Sequence, residues 1–195
     1  MTEDPYTYRR SSVLRNRLGI TDAARLAVSE REIVMQRAAQ GIPRGRLDLT
    51  HLRAIHSHLI QDVYDWVGKL RTVEIAKDRH KFQFRRYIET GMADVHRRLV
   101  GASFLRGLSR TAFAAAAGKI MGDVNYVHPF REGDGRAQLQ YLEQLAAQAG
   151  HPIDLVRIEP EPWLEASRSS HDGDYGPMAA VINQAFAGRS HEQDR

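Results

Sequence analysis

The stretch His128-Pro129-Phe130-Arg131-Glu132-Gly133-Asp134-Gly135-Arg136 constrains this chain more than any other. An apolar, alanine-rich helical pattern runs into it from Ser109 to Val127, and a second helical pattern, Ala137 to Ala149, leaves it. Two glycines between two helices demand a tight reversal that opens directly onto a helix start. Backbone N–H groups there converge and the positive end of the helix dipole faces outward, which makes a cradle for phosphate. A histidine, a carboxylate and a guanidinium around such a cradle point to nucleotide-dependent group transfer.

Each residue of the stretch has a role on its own chemistry. His128 ordinarily titrates near working pH, so it can take the proton of an attacking hydroxyl. Glu132 offers hard oxygen to Mg²⁺, an ion that keeps most of its waters and bridges phosphates. Gly133 and Gly135 let the backbone approach an anion where a Cβ would obstruct it. Arg136 presents a planar fork to phosphate oxygens and can neutralise a pyrophosphate leaving group. Pro129 fixes the backbone after the base, and Phe130 reads as an apolar anchor. A histidine before proline is usually structural, and Gly-x-Gly turns are common. Only their coincidence with Glu132 and Arg136 is specific.

Around the stretch the chain reads as mostly helical. Residues 22–40 carry Leu26, Ala27, Ile33, Val34 and Ala38 at helical spacing, and Gly41-Ile42-Pro43 stops them. Thr50 is the expected cap of the next helix, whose Leu52, Ile55, Leu59, Val63 and Trp66 run on to Gly68. From about residue 70 to 84 the period changes to two across a polar turn, Asp78-Arg79-His80, which predicts a β-hairpin. Helix resumes near Ile88, Ser109 is a candidate cap, and Gly150 closes the helix after the motif. Pro162 and Pro177 mark the first turns of two short helices. His51, His56 and His58 fall on one predicted helix without zinc-site spacing, so a metal there is disfavoured.

At 195 residues the chain suits a single domain, expected over residues 1–187, with a polar, frayed tail over 188–195. It has no cysteine, which fits a reducing cytoplasm. No signal-peptide pattern and no run of transmembrane length is present, so no membrane partner is expected. The net charge of +4 comes from scattered pairs, Arg9-Arg10, Arg85-Arg86 and Arg97-Arg98, with no nucleic-acid-binding motif. Solvated basic faces are the better reading, and nucleic acid is disfavoured.

The nine-residue stretch resembles the signature of the Fic (filamentation induced by cAMP) family, usually His-Pro-Phe-x-Asp/Glu-Gly-Asn-Gly-Arg-x-x-Arg. Asp4-Pro5-Tyr6-Thr7 through Leu14-Arg15-Asn16-Arg17-Leu18-Gly19-Ile20 is similar to the start of the small bacterial Fic toxins. So is His56 to Trp66 followed by Gly68-Lys69-Leu70-Arg71-Thr72-Val73-Glu74-Ile75. The resemblance implies an all-α, Fic-like domain with a small β-hairpin flap. It implies transfer of AMP from ATP, with Mg²⁺, to a Ser, Thr or Tyr hydroxyl of a target protein held along the flap, and it puts Lys77 and Asp78 near the nucleotide. The alternative is a degenerate Fic domain that binds nucleotide or a partner protein without efficient transfer.

Two positions depart from the signature. Asp134 replaces an Asn that donates to the α-phosphate, and an ionised Asp only accepts. Losing one such donor costs ~10²–10³ in rate, so a slow enzyme is expected. Leu139 replaces the Arg that meets the γ-phosphate, although Leu139, Leu142 and Ala146 share a helical packing face. Relatives are often inhibited by Ser/Thr-x-x-x-Glu-Gly/Asn. The nearest look-alikes here, from Ser170 and Ser190, end in Asp174 and Asp194, so any inhibitor is expected to be a separate small antitoxin. A cytoplasmic protein is expected, with secretion into a host cell left open.

Overall fold

The computed structural model describes residues 4–77 and 80–187. Seven α-helices and one small hairpin make up its regular structure among these residues, apart from short 3₁₀ turns and isolated bridges. Helix α1 spans Ala23–Ala39, with the Asp22 carboxylate accepting from Arg25 N at 2.8 Å. Helix α2 spans Leu49–Ile60. The hairpin strands are β1, Ala76–Lys77, and β2, His80–Lys81. Helices α3 (Ile88–Gly101), α4 (Arg110–Val127), α5 (Asp134–Ala149), α6 (Pro160–His171) and α7 (Gly176–Gln184) follow.

Helix α4 is the centre, and α3, α5, α6 and α7 all pack against it. Its composition explains how. A Cβ on Gly118 would stand 3.0 Å from the backbone of Ala179 on α7, and one on Gly122 would stand 2.6 Å from the Tyr175 ring. Small residues therefore let neighbouring segments come close, while Phe113, Ile120, Met121 and Val124 fill the space between. Helix α5 bridges this group to α2, which in turn carries α1. Each fully buried Leu, Ile or Phe contributes ~1.5–3 kcal/mol, so the α2–α4–α5 seam is a stiff platform for the loop it supports.

Four sequence expectations change. Helix α2 is capped by Asp48, whose carboxylate accepts from His51 N at 2.8 Å, and Thr50 lies inside the helix. The same helix stops at Ile60, where Val63 N and Tyr64 N both bond back to the Ile60 carbonyl. Val63 and Tyr64 are buried in the turn that follows, so their apolar spacing extends the core and not the helix. Helix α5 starts at Asp134, three residues before the expected Ala137.

The hairpin is also much shorter than residues 70–84: strand pairing joins only Ala76 with Lys81 and Lys77 with His80. One further bond, from Phe82 N to Ile75 O at 3.3 Å, extends it. The alternation before it records Arg71 turning inward, with its backbone N–H donating to Pro129 O instead of to a strand. Asp78 and the tail 188–195 lie outside the described residues. No helix among the described residues is long and apolar enough to cross a membrane.

Candidate active site

Helix α4 ends where His128 turns left-handed, at φ 45° and ψ 68°, with its N–H still bonded to Val124 O. Such a conformation is uncommon outside glycine, although histidine is among the residues that tolerate it. The turn throws the chain sideways into the loop 129–133. Phe130 is buried at its centre and stacks on the His56 ring of α2 at 3.8 Å between centroids. Gly133 is the second reversal, at φ 86°, where a Cβ would press on Ile60 at 3.0 Å. Helix α5 then begins without any side-chain N-cap, so its first-turn N–H groups stay available to an anion. Gly135, in that first turn, has open space where a Cβ would be.

His56 is a support that sequence reasoning set aside. Its Nδ1 accepts from Gly68 N at 2.9 Å and its Nε2 donates to Glu132 O at 2.9 Å. Both nitrogens are used in the neutral ring, and burial holds its pKa down to about 4. Protonation would forfeit the Gly68 bond. The helix histidines are thus structural: His51 is bonded to Leu47 N and Pro43 O, and His58 to Arg37 O. Among the described residues no cluster of three or more His, Cys, Asp or Glu could hold a metal.

A cavity of about 830 Å³ opens over the loop. Of the residues singled out from sequence, His128, Glu132, Gly133, Asp134, Gly135, Arg136 and Lys77 line it, as does Leu139. Strand β1 brings Lys77 to one wall and α6 forms another through Trp163, Leu164 and His171. The size lies within the range of small-molecule sites.

His128 Nδ1 donates to Asn125 O at 3.2 Å, so Nε2 carries the lone pair. The Phe82 ring stacks on the imidazole at 3.8 Å. Burial first, then the basic groups Arg71, His171 and Lys77, push its pKa down to about 3 against the pull of the Asn125 carbonyl. At neutral pH the ring is neutral, and its Nε2 lone pair faces the cavity without a hydrogen-bond donor of its own.

Asp134 lines the cavity from the first position of α5. Its side chain is almost wholly buried. Oδ1 accepts from Phe130 N at 3.2 Å, whereas Oδ2 has no partner and stands 3.4 Å from His128 Nε2. Burial, reinforced by the nearby Glu132 charge, raises its pKa well above the carboxylate range. Burial therefore works against charge on both members of the pair.

Arg136 has a partner that sequence did not reveal. Its Nη1 donates to Glu30 of α1, and the same carboxylate accepts from the Tyr64 hydroxyl at 2.8 Å. Glu30 is buried, and the arginine side chain remains more than a third exposed, so the fork is anchored on one arm while lining the cavity. Arg131 does not enter this network; it pairs with Asp4 at 2.7 Å and ties the chain start to the loop. The signal for Glu30 is weak: it is one of two acidic residues, with Glu32, on α1.

Glu132 has a half-buried carboxylate whose Oε1 accepts from Gly133 N at 3.1 Å. A half-buried carboxylate on the cavity wall suits Mg²⁺, which takes one or two protein oxygens and completes its shell with water and phosphate.

A family model described as the Fic/DOC family matches residues 46–146, more than half of the chain and the whole motif loop. The chain is 39% identical over 183 residues to "Probable protein adenylyltransferase y4lH" of Sinorhizobium fredii, covering 93% of this chain and 95% of that protein. It is 38% identical over 186 residues to "Probable protein adenylyltransferase Fic" of Salmonella typhimurium, covering 94% and 92%. Among solved structures, the N-terminal Fic domain of a VirB-translocated Bep effector protein from Bartonella quintana, with bound ADP, superposes with a TM-score of 0.85. It is 26% identical and matches 93% of this chain and 94% of that one. With the helical scaffold, the motif loop and these matches in agreement, the chain belongs to the Fic/DOC family.

Proposed function

We propose that this protein transfers AMP from ATP to a hydroxyl side chain of a target protein. The observation that carries the reading is the meeting of His128 Nε2, free and neutral, with the uncapped start of α5 in one cavity. The first-turn N–H groups and Arg136 receive the phosphates. His128 takes the proton of the attacking Ser, Thr or Tyr hydroxyl as its oxygen bonds to the α-phosphorus, and pyrophosphate leaves with the bonding electrons. Mg²⁺, when bound, neutralises phosphate charge, and Glu132 is the residue that would hold it. Lys77, on β1, lines the same cavity and supplies a further cation. The paired strands β1 and β2 offer an edge along which an extended target segment can lie. Names of relatives that denote protein adenylyltransferases support this reading.

Asp134 bears on how fast the reaction runs. In its neutral form the carboxyl carries a proton on one oxygen, and Oδ2 is the oxygen left unbonded. A neutral carboxyl donates a hydrogen bond where the family's usual Asn would present an amide. The second reading, a domain that binds nucleotide without efficient transfer, draws on Leu139, which leaves the cavity one cation short. We expect the protein to work in the cytoplasm and any inhibitor to be a separate small protein. The test is incubation with labelled ATP, Mg²⁺ and cell lysate beside His128→Ala. Label transferred equally by both would refute the mechanism, and ATP binding without label in either would favour the second reading.

A further inference from the structure

We propose that Arg71 is a positioning residue: its guanidinium locks the flap and the base-bearing loop into one unit and so fixes where the His128 imidazole stands. The inference rests on the reading of His128 as the base.

The Arg71 side chain is entirely withdrawn from solvent, yet a guanidinium cannot shed its charge. Its donors account for that burial. Nε donates to His128 O at 2.8 Å, and Nη1 to Val73 O at 2.9 Å and to the Glu74 carboxylate at 3.3 Å. Nη2 donates to Gln83 O and reaches Val127 O at 3.4 Å. The backbone N–H of Arg71 donates to Pro129 O at 2.9 Å.

These acceptors belong to two different structures. Val127 and His128 supply carbonyls at the end of α4, which a helix leaves unsatisfied and which a cation complements. Val73 and Gln83 flank the hairpin, at the level where its ladder would continue if it were longer. The planar fork stands in place of that ladder. Gln83 N bonds Tyr126 O at 3.0 Å, and the adjacent Phe82 is the ring stacked on His128. A lysine could not reproduce the arrangement, because an ammonium is a point charge without the fork.

The groups facing His128 come from every neighbouring element: Arg71 before the flap, Lys77 on β1, Phe82 after β2, Asp134 on α5 and His171 on α6. Arg71 therefore acts twice, as a nearby cation and as the clamp that keeps Phe82 over the ring. Removing it takes away a nearby cation and loosens the ring that shields the imidazole from water.

The experiment compares wild type, Arg71→Met and Arg71→Lys as full chains, after circular dichroism has established folding. Three readouts follow: NMR titration of isotope-labelled histidine, amide hydrogen exchange, and the rate of label transfer from ATP into lysate protein alongside calorimetric ATP affinity. In Arg71→Met we expect the His128 signal to titrate nearer the ordinary value of ~6.5. Exchange should accelerate at 73–83 and at 127–129 together. Transfer should slow by roughly 10²-fold, the scale of a misplaced catalytic group, with ATP affinity unchanged. Arg71→Lys should fall between.

An unmoved His128 titration in folded Arg71→Met overturns the inference. So does faster exchange in the flap alone with 127–129 at the wild-type rate. If Arg71→Met does not fold, Arg71→Lys decides, and wild-type behaviour in all readouts overturns the proposal. Label transfer that survives His128→Ala refutes the base assignment instead, and the exchange and titration arms still decide the clamp.

Discussion

The motif loop and the flap face each other across one cavity but are held in opposite ways. The loop 128–136 is fixed from many sides: Phe130 is stacked on His56, His56 is bonded to Glu132 O, Arg131 is paired with Asp4, and Arg136 is anchored on Glu30. The flap pairs through Ala76, Lys77, His80 and Lys81, and of these only His80 is even partly buried. An isolated two-stranded ribbon is marginal in water. The difference teaches a division of labour: reacting groups stand on a platform that cannot yield, while the segment suited to meeting a variable partner has little stability of its own.

The largest effect should come from the base. His128→Ala is expected to reduce label transfer from ATP by ~10²–10⁴-fold with an unchanged circular dichroism spectrum. Transfer persisting near the wild-type rate would move the chemistry off the platform. Next, Phe130→Ala should destabilise the protein by ~3–5 kcal/mol in denaturant unfolding, because a fully buried ring leaves a cavity. A loss under 1 kcal/mol would mean that the loop is far less fixed than its packing indicates.

Acid should weaken the same platform. His56 has a folded pKa of about 4 against an ordinary 6.5, so the folded state resists protonation. Its contribution is complete above pH ~6.5 and drains away as pH falls toward 4, on the order of 3 kcal/mol in all. Melting temperatures between pH 7 and 4 should therefore fall more steeply in wild type than in His56→Gln, and parallel slopes would remove His56 from the account.

Asp134→Asn should alter transfer by less than about tenfold at neutral pH, or ~1.4 kcal/mol, since a neutral carboxyl and an amide both offer a donor. A hundredfold rise would show that Asp134 is ionised and repels phosphate. The smallest effect belongs beside the flap. Phe84 is 59% exposed, so Phe84→Ser should shift stability by no more than ~0.5 kcal/mol. Set against Phe130→Ala, it weighs the same side chain on each side of the comparison.

The sequence by itself determined that the helices exist and where most of them end, because apolar spacing and breakers are local, and it determined the motif, whose chemistry lies within nine consecutive residues. Ser109, Gly150 and the prolines marked ends that the structure keeps, because capping and helix breaking act within a turn or two. Only the tertiary structure decided the rest. Glu30 meets Arg136 across 106 positions of sequence, and Arg71 meets His128 across 57. No local pattern encodes either pairing. The alternation of residues 70–84 suggested a longer ribbon because a side chain turned inward toward a guanidinium's acceptors has the same period as one turned inward from a strand. Asp134 is the clearest case: its identity is in the sequence, but whether it is a charge or a hydrogen-bond donor depends on how much water reaches it, and only packing settles that.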